Sequence, residues 1–158
     1  MMLERCIQNG RKYWIDMDTR VKVRLKPLTE TRAPRCEVTV GYITKMLELD
    51  QEQWIDIQIH PDRNSTVDIV VKHLGKTEEE FKSREELAIS VEEIKINGIS
   101  DTKFVWAGKF HPEYPRWEED KGPIDTHYLG FNGEWRLTIS IPAYTWIHKI
   151  LSLGWIYD

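Results

Sequence analysis

The residues best suited to chemistry fall between 104 and 120, where Trp106, His111, Glu113, Tyr114, Trp117 and Asp120 share an aromatic and acidic stretch that also holds Glu118. Flat aromatic faces stack on sugar rings while carboxylates, amides or a bound calcium take up the hydroxyls. Trp106, Tyr114 and Trp117 with Glu113, Glu118 and Asp120 would therefore make a carbohydrate platform. Trp and Tyr also dominate protein–protein hot spots, so the same set would equally make a docking surface. The plainest reading is structural: Trp106 lies in the core, and Tyr114 and Trp117 hold the loop down.

Other chemistries find less support. No Gly-x-Ser-x-Gly surrounds a nucleophile, and no glycine-rich loop of either standard type is present to cradle a phosphate. The five histidines, His60, His73, His111, His127 and His148, are scattered, with no His-x-His and no His-Glu-x-x-His spacing for zinc. A glycosidase needs two carboxyls facing a sugar. Glu92, Glu93, Glu113, Glu118, Glu119 and Asp120 are candidates, but a chain with 26 acidic residues contains such clusters by chance. Binding is thus expected rather than catalysis, with no cofactor and with calcium left open.

These residues must be positioned by strands. Period-2 alternation runs through Cys36, Val38, Val40 and Tyr42, and through Ile55, Ile57 and Ile59. His60–Ser65 has turn chemistry and Thr66–Lys72 returns, so 54–72 is expected to be a hairpin. Leu74–Leu87 suits a solvated loop or one short helix. In Ile89–Gly98 the parity of Ile89 and Val91 differs from that of Ile94 and Ile96, which a β-bulge near Glu92-Glu93 would reconcile. The stretch His111–Pro123 holds three prolines and is expected to be a long irregular loop.

Asn132-Gly133 is a strong hairpin turn. After it Trp135, Leu137, Ile139 and Ile141 point inward, with Trp135 nearly fully buried against Ile55, Ile57 and Ile59 or Ile94 and Ile96. Trp146, Ile147, Ile150 and Leu151 have helical spacing, with Gly154 as the stop. The fold class expected is mainly β, an antiparallel, jelly-roll-like β-sandwich of about eight strands with one short C-terminal helix. Residues 1–33, with a hairpin of Lys12–Asp18 and Val21–Leu25 followed by a proline-bearing linker, are expected to be an N-terminal arm, and residues 34–158 the sandwich.

A chain of 158 residues with 41% hydrophobic and 30% charged residues can bury a core in one soluble domain. No apolar run reaches the roughly 18 residues of a membrane span. The early charges at Glu4 and Arg5 argue against a secretory leader and for synthesis in cytoplasm. A net charge of −4 with both signs mixed argues against nucleic acid as a partner. Cys6 and Cys36 form no Cys-x-x-Cys pair and are expected to be inert thiols.

Three runs carry a resemblance: IQIHPDRNSTVDIVVKHLGKTEEEF, ISVEEIKINGISDTKFVWAGKF and YLGFNGEWRLTISIPAYTWI. The pattern is His-Leu-Gly-Lys-Thr at His73 to Thr77, Ile-x-Ile-x-Gly-Ile at Ile94 to Ile99, and Tyr-Leu-Gly-x-Asn-Gly-x-Trp at Tyr128 to Trp135. With it, about half the chain resembles small uncharacterised proteins of tailed, particularly marine, bacteriophages. Their sandwiches are in turn similar to calcium-dependent xylan-binding carbohydrate modules.

The resemblance implies a non-enzymatic virion accessory protein made in the host cytoplasm, decorating the capsid or lying in the tail, neck or baseplate. It would dock on other virion proteins, or on copies of itself, through the arm and the aromatic surface. The alternative it implies is a carbohydrate-binding module for surface glycans. For calcium it offers Asp62, Asn64, Asp101 and Asp125.

Overall fold

The computed structural model describes the backbone of residues 18–157 and the side chains of residues 18–152. β1 (Thr19–Thr29), β4 (Gln53–Ile59), β6 (Leu87–Ile96), β7 (Ile99–Ser100) and β9 (Tyr128–Leu129) form one antiparallel sheet. Its order is β4-β1-β6-β7, with β9 also on β6. β2 (Arg35–Val40), β3 (Ile43–Glu48), β5 (Thr66–Leu74), β8 (Lys109–Pro112) and β10 (Gly133–Ser140) form the second, in the order β3-β2-β5-β10-β8. The helices are α1 (Glu78–Ser83), α2 (Thr102–Trp106) and α3 (Ala143–Tyr157). None is long and apolar enough to cross a membrane among the described residues.

The mainly β, antiparallel sandwich follows from the alternation. Val21, Val23, Leu25 and Ile57 of the first sheet and Val38, Val71, Leu137 and Ile139 of the second are buried in one core. Trp135 is fully buried in that core, as its place in the inward series requires. The bulge also falls where the parity break puts it: Arg24 pairs with Glu93 but Leu25 pairs with Val91, so Glu92 is the extra residue.

Several expectations are corrected. Residues 1–33 are not a separate arm throughout, because β1 pairs with β4 on one side and β6 on the other. The pairing with β4 ends at Leu25, so beyond it β1 has β6 alone as a neighbour, and Pro27 forfeits no ladder bond to β4. The strand expected within 12–18 falls almost wholly outside the described residues, as does Cys6. Tyr42 leaves the alternation at an exposed turn where Gly41 has φ +60°, and β3 returns from it as an unanticipated strand.

Residues 54–72 are not a hairpin, since β4 and β5 belong to different sheets. Nor is Asn132-Gly133 a hairpin turn: β9 pairs with β6, while β10 lies between β5 and β8. Among the described residues only the β2–β3 and β6–β7 connections stay within one sheet. Gly133 is needed for another reason. Its φ is +143°, and a Cβ there would stand 2.3 Å from the His111 carbonyl oxygen. Gly154 does not stop α3, which runs to Tyr157.

α1 shows how the loop after β5 is set. The Thr77 hydroxyl accepts a bond from the Glu80 N–H at 3.2 Å, and the Glu80 carboxylate accepts from the Thr77 N–H at 2.9 Å. Arg32 donates to both Glu80 oxygens and, at 2.6 Å, to the Gly75 carbonyl. Its guanidinium is the main cause holding the Glu80 carboxyl down at about 2. Thr77→Ala is expected to cost about 1 kcal/mol, read as a fall of a few degrees in Tm, with Thr77→Ser near wild type. An unchanged Tm for the alanine variant would show that the capping box contributes nothing.

Candidate functional site

The loop after β8 is held down rather than free. Phe110 and Ile124 bridge its base through paired backbone bonds at 2.9 Å, and the Glu113 N–H donates to the Asn132 carbonyl at 2.7 Å. Tyr114 is half-buried, with its ring 5.5 Å from Phe131 and its hydroxyl donating to the Gly122 carbonyl at 3.1 Å. Asp120 accepts from the Gly122 N–H at 2.8 Å. Phe131 stacks on Phe81 of α1 at 5.3 Å, and Phe81 meets the edge of Trp117 at 6.5 Å.

Trp117 remains 43% exposed, with the Lys82 ammonium 5.1 Å over its ring. His111 and Glu113 are exposed. Tyr114 is thus the loop anchor that the structural reading expected, while Trp117 keeps a solvent face.

Trp106 belongs to a different surface. It is 56% exposed at the end of α2, with its ring partner His127 at 5.1 Å, while Phe104 and Val105 of the same helix are buried. Sequence alone does not bring out this second group. Ile89 and Leu129 are paired and turn into the core, so their neighbours Ser90 and Tyr128, also paired, turn to the other face, where Ser90 is still buried and Tyr128 is exposed. His127 Nδ1 lies 3.2 Å from Ser90 Oγ, and that hydroxyl donates to the Glu92 carboxylate that the bulge displaces. Tyr128, 40% exposed, lies against Gly130 and donates its hydroxyl to Glu86 at 2.9 Å. Burial, reinforced by that carboxylate, pushes the phenol up to about 12.

Ser90, His127 and Glu92 have residue types found in nucleophilic triads but a different order of contacts. The carboxylate accepts the hydrogen bond from the serine hydroxyl, so the imidazole faces Ser90 Oγ as a donor, not as a base with an acid behind it. The shifted carboxyls also move away from proton-donor behaviour. A bond from Ser100 first, and then Arg24, lowers Glu93, while Arg20 lowers Asp56.

The calcium candidates are engaged locally. The Asp62 carbonyl accepts from Ser65, Asp101 caps α2 at 2.9 Å, Asp125 pairs with Lys109 at 2.8 Å, and Asn64 adopts φ +62° in its turn. Among the described residues no group of three or more His, Cys, Asp or Glu could hold a metal ion. The three aspartates form no such group, and calcium enters no step below. Cys36 is buried, which pushes its thiol up to about 12 and leaves it unreactive.

No family model matches the chain, and no curated protein matches it either. Among solved structures it is similar to the calcium-dependent carbohydrate-binding module vCBM60. The TM-score is 0.49 at 14% identity, over 75% of this chain and 89% of that one. A complex of vCBM60 with galactobiose gives 0.46 at 14% identity, over 75% of this chain and 96% of that one. Scores below 0.5 carry neither module's ligand chemistry onto these residues.

Proposed function

We propose that the chain is a non-catalytic carbohydrate-binding sandwich that holds a glycan on the outer surface around Trp106 and Tyr128. The observation carrying this is the set of polar groups between two exposed aromatic residues: the His127 imidazole and the Glu92 and Glu86 carboxylates, with the buried Ser90 hydroxyl bonded to the first two from behind. The aromatic faces take the apolar face of a sugar, and the polar groups fix its hydroxyls. The distant likeness to carbohydrate-binding modules agrees with this reading without adding to it.

Trp106→Ala is expected to weaken glycan binding at least tenfold, about 1.4 kcal/mol, with Tm unchanged. Trp117→Ala should leave affinity near wild type. A glycan array followed by calorimetry on the hits checks both. An array with no hit for the wild-type chain sinks the proposal.

A second reading, a virion accessory protein working through protein contacts, is favoured by β3 and by the resemblance to phage proteins. β3 is an edge strand with Met46 exposed, beside a cavity of about 230 Å³ lined by Arg35, Cys36, Met46, Leu47, Glu48 and Leu74. Copurification with phage particles, with copy number read by quantitative mass spectrometry, separates decoration at high copy from a tail or neck position at low copy. Absence from purified particles ends this reading.

A further inference from the structure

The outer face of the first sheet carries a row of cations that the acidic chain as a whole conceals. Val21, Val23 and Leu25 turn into the core, so Arg20, Lys22, Arg24 and Lys26 occupy successive outward positions on β1, the strand lying between β4 and β6. At two residues per step they are about 7 Å apart and span roughly 20 Å. Lys95, opposite Lys22 on β6, adds a fifth cation.

Three carboxylates are interleaved with them. Asp56 takes Arg20, and Glu52 and Glu93 take Arg24. Lys22, Lys26 and Lys95 make no ion pair among the described residues. Trp54, opposite Arg24 on β4, is 40% exposed, with Lys95 Nζ 5.0 Å and the Arg24 guanidinium 5.7 Å from its ring centre. At its far end the row meets the surface already described, because Lys26 pairs with Ser90 and Ser90 with Tyr128.

We infer that this face binds an acidic polysaccharide of the polyuronate type, one carboxylate per ring with its hydroxyls free, laid along β1 from Arg20 to Lys26, past Trp54 and towards the Tyr128 surface. Resting on the carbohydrate reading, this names the ligand class of the extended site. The three unmatched lysines attract the uronate carboxylates. Glu52, Asp56 and Glu93 accept from ring hydroxyls and repel a ligand that replaces those hydroxyls with anions. A sulfated glycan or a nucleic-acid backbone meets that repulsion, and a neutral glycan gains nothing from the lysines.

The test is calorimetric titration with polygalacturonate, neutral galactan, dextran sulfate and oligodeoxythymidine at low and at physiological salt, with Tm measured for every variant. Polygalacturonate should bind best and weaken with salt. The combined variant Lys22→Gln, Lys26→Gln and Lys95→Gln should lose at least tenfold, and the corresponding triple arginine variant should keep most of the affinity. Two results overturn the ligand class but leave the carbohydrate proposal standing: galactan bound as tightly as polygalacturonate, or a folded glutamine variant that loses nothing. Tighter binding of dextran sulfate or oligodeoxythymidine makes the row a general polyanion surface and also overturns it. Failure of every glycan removes both proposals.

Discussion

Trp135→Ala is expected to lower the free energy of unfolding by about 3–5 kcal/mol, a large share of the roughly 5–15 kcal/mol that holds a domain of this size together. Trp135 is fully buried, and the neighbouring chain is shaped to its ring. A Cβ at Gly108 would come within 2.2 Å of Trp135 Cζ2, so that position has room only for glycine. Truncation leaves a cavity that ladders on both sides of β10 prevent from collapsing. The indole N–H has no hydrogen-bond partner among the described residues, so the lost stability is packing rather than a bond.

Trp117→Ala, by contrast, removes an edge contact with Phe81 and a surface contact with Lys82, and should cost less than about 1 kcal/mol. Urea denaturation of both variants checks the pair. Equal midpoints would mean that the division of these tryptophans between core and surface is wrong.

Acidification is expected to act through His73. This side chain is fully buried at the inner face of β5, and its Nδ1–H donates to the Leu129 carbonyl of the opposite sheet at 3.0 Å. Nε2 has no hydrogen-bond partner among the described residues, and Lys76 and Arg32 add unfavourable charge. Burial is the main cause lowering its pKa from 6.5 to about 4. Above about 6.5 His73 is neutral in both the folded and the unfolded chain and contributes no pH dependence. As the pH falls from there towards 4, the unfolded chain takes up the proton and the folded one does not, so stability drops.

Between pH 7 and pH 4.5 the drop from this one group should be about 2–3 kcal/mol. His73→Asn keeps a donor for Leu129 and removes the titration, so its stability should vary less over the same interval by that amount. Parallel pH profiles for the two chains would show that His73 is not the group responsible. The contact matters to the glycan surface, because Leu129 belongs to β9, which places Tyr128.

Much of the candidate surface was beyond reach of the sequence for a geometric reason. Trp106 is a conspicuous residue type, but that it is exposed rather than in the core, and apart from Tyr114 and Trp117, is decided by the fold. So are its partners: Ser90 and His127 are 37 residues apart and meet only because β9 adds to the edge of β6. The basic row was missed although Arg20, Lys22, Arg24 and Lys26 alternate with apolar residues in plain view. Charges of both signs along the chain average out, and a face becomes visible only when its neighbours in space are known.

What the sequence by itself determined is which side faces the core in the strands that alternate. Burial of one face demands a period of two, and that period survives in Ile55, Ile57 and Ile59, in Trp135, Leu137, Ile139 and Ile141, and even across the break that marks the bulge at Glu92. What only the tertiary structure decided is which strands are neighbours. An alternating strand followed by a turn and another alternating strand satisfies the same burial whether the second lies beside the first or across the core from it. Here the chain crosses after β4 and again between β9 and β10, so two expected hairpins became opposite walls of the sandwich. Alternation records contact with an apolar interior, and the interior is shared by both sheets, so the pattern cannot say to which sheet a strand belongs.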